Sequence, residues 1–376
     1  MRAEVPARAL RSAAVAGALL LLAGGCGGGD EPSGDGTDAP LRLGDVLWID
    51  DSLTTAGLDT CGSVAVLSSA DQDLRVALVD EDRVLVPEVT PPDGSDVVIR
   101  NDWATSGGCV PTSSGPIVVV EAQEAYANLY DEEPKIVAGF TPEGEQLWAI
   151  ELAGDLAANY DGRGSILFDS LDDNQWSVVD ARTGKTVASG GLADGSPVTT
   201  LSPTLVDDLA GGLIELPGGR RVGRDGDTTA QVDDRRILLQ TVDGVRLVGL
   251  PDLHVIWQAQ EDVRLTGIWT EAADLSTSTV VAFGTDGRII GLDLATGREK
   301  WSSDVPRRLV NGLRTQIGSG VVAFRRNGKD PRGQIVLDSA TGAQLTTVQG
   351  YVVADQGLLL EIRNGVASPV TVADLR

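Results

Sequence analysis

An eleven-residue unit that returns at intervals of one small sheet constrains this chain more than any other feature. Its clearest copy is Gly291-x-Asp293-x-x-Thr296-Gly297-Arg298-x-x-Trp301. Aligned on the last position, Val178-x-Asp180-x-x-Thr183-Gly184-Lys185-x-x-Ala188 and Val336-x-Asp338-x-x-Thr341-Gly342-Ala343-x-x-Thr346 are further copies. Ala138-x-Phe140-x-x-Glu143-Gly144-Glu145-x-x-Trp148 reads as a copy that has lost its Asp and Thr. Leu247-x-Gly249-x-x-Asp252-Leu253-His254-x-x-Trp257 is the most worn. The final positions are 40, 69, 44 and 45 residues apart, and the long interval leaves room for a worn unit near Gly211 to Arg224. A period of about 40–45 residues marks a repeat architecture in which each unit buries its apolar faces against its neighbours.

Each copy reads as a piece of antiparallel sheet. Val280, Val281 and Phe283 precede a Gly284-Thr285-Asp286-Gly287 turn, and Ile289 and Ile290 follow it. That pattern is a strand, a tight turn and a second strand. Asp293 with Thr296-Gly297 forms the next turn, since Asp accepts nearby backbone N–H groups and Gly adopts positive φ without steric cost. Trp301 then lies on a third strand, where its flat ring packs between neighbouring sheets. The expected fold is all-β, a single propeller of four-stranded blades spanning residues 41–376. Its length allows seven or eight blades and favours eight. Strand-like runs at Tyr351–Val353, Leu358–Ile362 and Val370–Val372 are expected to complete a blade with strands near Asp45 to Asp50, because an open ring would leave sheet edges unpaired. No stretch shows sustained helical periodicity.

The unit resembles the Ala-x-Asp-x-x-Thr-Gly-Lys-x-x-Trp docking motif of the PQQ-type, or quinoprotein-like, β-propeller repeat. Gly291 stands for the Ala and Arg298 for the Lys, while Asp293, Thr296, Gly297 and Trp301 match. The resemblance covers roughly residues 115 to 350. It implies that Trp148, Trp257 and Trp301 dock adjacent blades and touch no cofactor. Ala188 and Thr346 hold the same slot without a ring, so docking is expected to be weaker there. The resemblance does not imply a quinone. The dehydrogenases of that family are longer, and many carry adjacent cysteines, which this chain lacks.

The beginning of the chain has its own logic. Arg2, Arg8 and Arg11 precede a ten-residue apolar run, Ala13 to Leu22, which is too short to span a bilayer and suits a signal peptide. Leu22-Ala23-Gly24-Gly25-Cys26 follows and resembles the bacterial lipobox. Residues 1–25 are therefore expected to be a lipoprotein signal peptide and Cys26 the lipidated, palmitate-bearing residue. Residues 26–40, rich in Gly, Asp, Ser and Pro, are expected to be a flexible tether. Export permits a disulfide, and the two remaining cysteines, Cys61 and Cys109, are expected to pair.

Catalytic chemistry finds little support. The sole histidine, His254, sits at a turn in the Arg slot of the worn unit. With one His and two Cys expected to pair, His/Cys metal sites and Ser–His–Asp triads have no components. Asp169, Asp172, Asp173 and Asn174, and again Asp225, Asp227, Asp233 and Asp234, are clustered carboxylates without EF-hand spacing, and read as turns. No catalytic residue, cofactor or metal is expected.

Charge is more telling. The formal net charge is −25, and cleavage before Cys26 removes three Arg and one Glu, leaving −27. Residues 298–332 nevertheless carry nine basic and three acidic side chains, a local +6, whereas residues 27–100 carry four basic and sixteen acidic ones, a local −12. Such asymmetry gives a ring a directional field. Arg307, Arg308, Arg314, Arg325, Arg326 and Arg332 are the candidate surface for an anionic partner: a protein, an envelope polymer or lipid headgroups. An exported acidic chain without basic stripes interleaved with aromatics is not a nucleic-acid binder. The expectation is a monomeric, lipid-anchored, non-enzymatic protein-interaction scaffold facing the outside of the cell membrane. Its fold resembles that of the propeller lipoproteins of the outer-membrane β-barrel assembly machinery, whose particular task is not carried over. The alternative is a small ligand or substrate in the central channel, with or without quinoprotein-like chemistry.

Overall fold

The computed structural model describes residues 42–43 and 58–376, except at 69–73, 100–102, 125–133, 153–155, 160–163, 171–174, 192–197, 203–204, 209–211, 216–219, 222–227, 234, 242, 251, 260–262, 266–271, 307–309, 327–333, 346–349 and 364–365. Eight antiparallel sheets follow one another in chain order, spanning residues 58–85, 103–152, 156–191, 198–221, 228–258, 263–306, 310–338 and 351–369. Within each, successive strands pair with their chain neighbours, except that in sheet six Val263–Leu265 and the short Ala273–Asp274 strand both pair with Thr279–Gly284. Sheets seven and eight show three strands each among the described residues. No α-helix occurs among those residues; Val79–Glu81 forms one 3-10 turn.

The strand sequences explain the stacking. Lys135–Phe140 and Thr279–Gly284 are buried at every position, because a middle strand has another sheet on each face. Outer strands such as His254–Gln258 are exposed at all but one residue. Val64, Val66 and Val76 of sheet one pack on Val118, Val120 and Ala138 of sheet two. Sheets two and three share Val119, Val137, Ile166 and Phe168, and sheets six and seven share Val281, Ile289, Phe324 and Leu337. The ring closes where Ala65, Leu67 and Ala77 of sheet one meet Val353, Leu358 and Leu360 of sheet eight. This is the β-propeller expected from the repeat.

Two details correct the sequence reading. The third strand of sheet eight is Val366–Pro369, not Val370–Val372. Pro369 ends it, and Thr371 then turns the chain by donating its N–H and hydroxyl to Asp374 Oδ2 at 2.8 and 2.6 Å. Val370, Val372 and Leu375 pack into the core between sheets seven and eight. The strands expected near Asp45 to Asp50 lie outside the described residues.

The copy ending at Trp148 is also one residue shorter than its siblings. Trp301 pairs with Gly291 and Trp257 with Leu247, ten residues back, whereas Trp148 pairs with Gly139, nine back. Gly139 and Thr141, rather than Ala138 and Phe140, therefore take the slots of Gly291 and Asp293. Thr141 N–H bonds Glu145 O, as Asp293 N–H bonds Arg298 O. The Asp was not lost to Phe140; the turn lost a residue.

Among the described residues, the hairpins that join first to second and third to fourth strands share one face of the ring, called here the hairpin face. Val79 N–H bonds Ser63 O within sheet one, and Ser339 N–H bonds Gly320 O within sheet seven. Gly164 N–H bonds Pro111 O from sheet three to sheet two. The Gly357 turn of sheet eight lies beside Gly62 of sheet one.

Candidate functional site

The repeat residues form a docking slot on the hairpin face, and the slot recurs between sheets. Asp293 Oδ1 accepts Thr296 N–H at 2.9 Å and Thr296 hydroxyl at 2.7 Å, closing the turn that Gly297 completes at φ +69°. Asp180 does the same for Thr183, and Asp338 Oδ1 accepts Ala340 and Thr341 N–H groups at 3.0 Å each. The tryptophan of the preceding sheet fills the slot. Trp148 Nε1 donates to Ala181 O at 2.8 Å, Trp257 Nε1 to Leu294 O at 2.7 Å and Trp301 Nε1 to Ser339 O at 2.8 Å. These bonds join sheets two to three, five to six and six to seven.

Glycine is required on the faces of these rings. A Cβ on Gly184 or Gly297 would lie 2.7 Å from Trp148 or Trp257, and one on Gly342 would overlap Trp301. Gly139 and Gly291, the cross-strand partners of Trp148 and Trp301, are also pressed against these rings. With two glycine backbones pressed against each ring, Trp148 and Trp301 are taken up in packing, and these motif positions do not fit a flat quinone.

The worn unit keeps the slot with different chemistry. Leu253 holds the position of Gly297 and adopts φ +55°, a region that costs a branched side chain energy. Gly249 replaces the Asp, and a Cβ there would overlap the His254 ring. His254 is exposed and its Nδ1 lies 2.7 Å from Asp252 Oδ1, which holds that carboxyl below its ordinary range. The sequence places His254 at the turn; the structure places it one step on, as the first residue of the strand His254–Gln258, paired with Gly249.

Among the described residues the lowered carboxyls lie in or beside turns. The hydroxyl of Thr296 keeps Asp293 below the usual carboxylate range. Burial pushes Asp338 up, but hydrogen bonds from Arg376 and Thr341 outweigh it and the net shift is downward. Arg376 Nη2 reaches Asp338 Oδ2 at 2.5 Å. Of the clustered carboxylates, Asp233 turns to Arg236, with Nε at 2.8 Å; residues 171–174, 225–227 and 234 lie outside the described residues. Among the described residues no three His, Cys, Asp or Glu side chains converge on one point.

Cys61 and Cys109 are joined as a disulfide, with Cα atoms 5.8 Å apart, tying sheet one to sheet two. Asp59 Oδ2 accepts Cys109 N–H at 2.7 Å across the same interface. Cys26, Arg307, Arg308 and Arg332 lie outside the described residues. Arg314, Arg325 and Arg326 are described by backbone alone. Arg325 and Arg326 pair with Asn311 and Val310 at the end of sheet seven remote from its Ser319–Gly320 hairpin.

Sequence reasoning missed a polar lock on the hairpin face. Asp274 is fully buried and accepts Ser276 N–H and hydroxyl within sheet six. Its other oxygen accepts Gly320 N–H at 2.8 Å and Ser339 hydroxyl at 2.5 Å from sheet seven. Gln356 of sheet eight reaches past its neighbour to sheet six, accepting Leu275 N–H at 3.2 Å and donating to Ala273 O at 2.7 Å. These partners are 46 to 83 residues apart in the chain, and no local pattern marks them.

A family model described as outer membrane protein assembly factor BamB matches residues 44–359. This chain belongs to that family. Its membership agrees with the repeat and with the ring that the repeat builds. Among solved structures, BamB from Moraxella catarrhalis is similar at 15% identity and a TM-score of 0.45, over 88% of this chain and 94% of that one. The computationally designed Ika8 protein is similar at 15% identity and a TM-score of 0.44, over 83% and 93%. Hsv2 from Kluyvelomyces marxianus is similar at 10% identity and a TM-score of 0.40, over 68% and 88%. No curated protein matches.

Proposed function

We propose that this BamB-family chain is an exported, lipid-anchored propeller that serves the cell envelope as a non-enzymatic platform for an acidic protein partner. Residues 1–25 direct export, Cys26 carries the lipid and residues 26–40 are the tether. The basic segment 298–332, with Arg307, Arg308, Arg314, Arg325, Arg326 and Arg332, receives the partner. The observation that carries the reading is that the repeat's distinctive side chains are consumed in packing. Trp148, Trp257 and Trp301 are docked on neighbouring carbonyls and Asp180, Asp293 and Asp338 close turns, so the motif supplies scaffold rather than chemistry. The family description names assembly of outer-membrane proteins; the part of that role proposed here is the protein-binding platform alone.

The test is crosslinking capture from membranes, comparing the lipidated protein with Arg325→Glu/Arg326→Glu. Capture of a specific acidic protein that falls several-fold in the variant, and falls again when salt shortens the screening length from about 10 Å to about 3 Å, supports the proposal. Capture equal in both proteins, or indifferent to salt, overturns it. Fractionation of Cys26→Ala checks the anchor, since one acyl-bearing residue is the whole of the proposed membrane attachment.

A further inference from the structure

The chain joins the ring at a defined place. Leu43 is buried among Ala65, Ala77, Val84 and Leu360, between sheets one and eight. Its N–H donates to Asp82 Oδ1 at 3.2 Å. Asp82 closes the turn between Leu74–Leu78 and Arg83–Leu85, which is on the hairpin face, as the Val79 N–H to Ser63 O bond requires. The described chain therefore meets the ring at Leu43 on the hairpin side. The Arg325–Arg326 end of sheet seven is at the other side, since its strand runs Val321–Arg326 away from the Ser319–Gly320 hairpin.

We infer that the anchored ring stands with its hairpin face toward the bilayer and offers the opposite face, with the basic end of sheet seven, to a partner away from that bilayer. The inference rests on the lipid-anchor reading of Cys26. Seventeen residues separate Cys26 from Leu43. As a flexible coil they span about 23 Å, and fully extended no more than about 60 Å. A six-residue strand alone is about 20 Å long. A tether leaving the hairpin side would spend most of its typical span merely passing the ring's thickness before the far face could meet the membrane. The headgroups of the anchoring membrane are thereby disfavoured as the anionic ligand of Arg325 and Arg326, and an acidic surface on a protein beyond the ring is favoured.

The test uses the lipidated protein on liposomes with a single added thiol, the native pair being held as a disulfide. Ala295→Cys and Glu143→Cys place a fluorophore on exposed hairpin-face turns of sheets six and two. Thr285→Cys places one on the exposed turn at the other end of sheet six. A quencher carried on lipid headgroups should reduce emission at Ala295→Cys and Glu143→Cys several-fold more than at Thr285→Cys. Equal quenching at both ends, or stronger quenching at Thr285→Cys, overturns the orientation while leaving the anchor intact. Quenching absent at all three, with protein that does not sediment with liposomes and behaves as Cys26→Ala does, overturns the anchor and the orientation together.

Discussion

At Gly342 two separate requirements fall on one residue. Its φ of +73° is unfavourable for any side chain with a Cβ, and that Cβ would overlap the Trp301 ring. Left-handed backbone costs about 1 kcal/mol and overpacking a further 1–3 kcal/mol. Gly342→Ala should therefore lose at least about 2 kcal/mol in urea unfolding, although alanine is the mildest replacement available. Trp301→Ala should lose about 3–5 kcal/mol by the same measurement, since it empties a buried slot and leaves Ser339 O without its donor. Leu253 is the informative contrast. It holds the equivalent of the Gly297 slot at φ +55°, where glycine would relieve strain of about 1–2 kcal/mol. Glycine also raises unfolded-chain entropy and gives up packing beside Val248, so Leu253→Gly should change stability by less than about 1 kcal/mol. The slots were legible in the sequence because Thr-Gly and Trp keep fixed spacing. The strain at Leu253 was not, because a worn copy does not say whether the backbone has changed along with the residue. Here it has not.

The docking turn behaves as an element with its own pH dependence. Asp293 and Asp338 both have carboxyls below their ordinary range in the folded state. A group whose folded value is depressed lends stability that is complete above its unfolded value, about 3.9 for Asp, and disappears as pH falls toward the folded value. The ring should therefore lose stability between about pH 5 and pH 2. Asp338→Asn should be less stable than the parent at pH 7, with the gap closing at the acid end of a thermal-unfolding series. A gap that stays constant with pH would remove the carboxylate from the explanation. The second link between elements is covalent. The Cys61–Cys109 bond closes a loop of 48 residues between sheets one and two, and its loss should cost about 2–4 kcal/mol, read as a lower Tm in reductant. Both elements were visible as patterns. The register of the Trp148 copy was not, since a deletion within the Thr141–Gly144 turn shifts the alignment without changing the composition.

Among the described residues these fasteners are unevenly spread around the ring. A disulfide joins sheets one and two, and docked tryptophans join two to three, five to six and six to seven. Asp274 and Gln356 then lock sheets six, seven and eight together on the hairpin face. At the junction of sheets three and four the docking position is Ala188, which buries far less area than an indole and has no N–H to donate. Local opening follows the distribution of such contacts, so a closed ring need not open evenly. Amide exchange should be faster in the outer strand Thr186–Gly191, beside Ala188, than in its counterpart Glu299–Pro306, which carries Trp301. Asp274→Asn should narrow that difference by speeding exchange in sheets six to eight without touching sheet two, where no Asp274 contact reaches. Uniform acceleration around the ring would mean that the sheets open as one cooperative unit and that the fasteners set only the total. The lock itself was beyond the reach of sequence, because residues as far apart as Ala273 and Gln356 become neighbours only after the ring has curved round. The repeat shows that such a ring forms, while closure decides which distant turns meet.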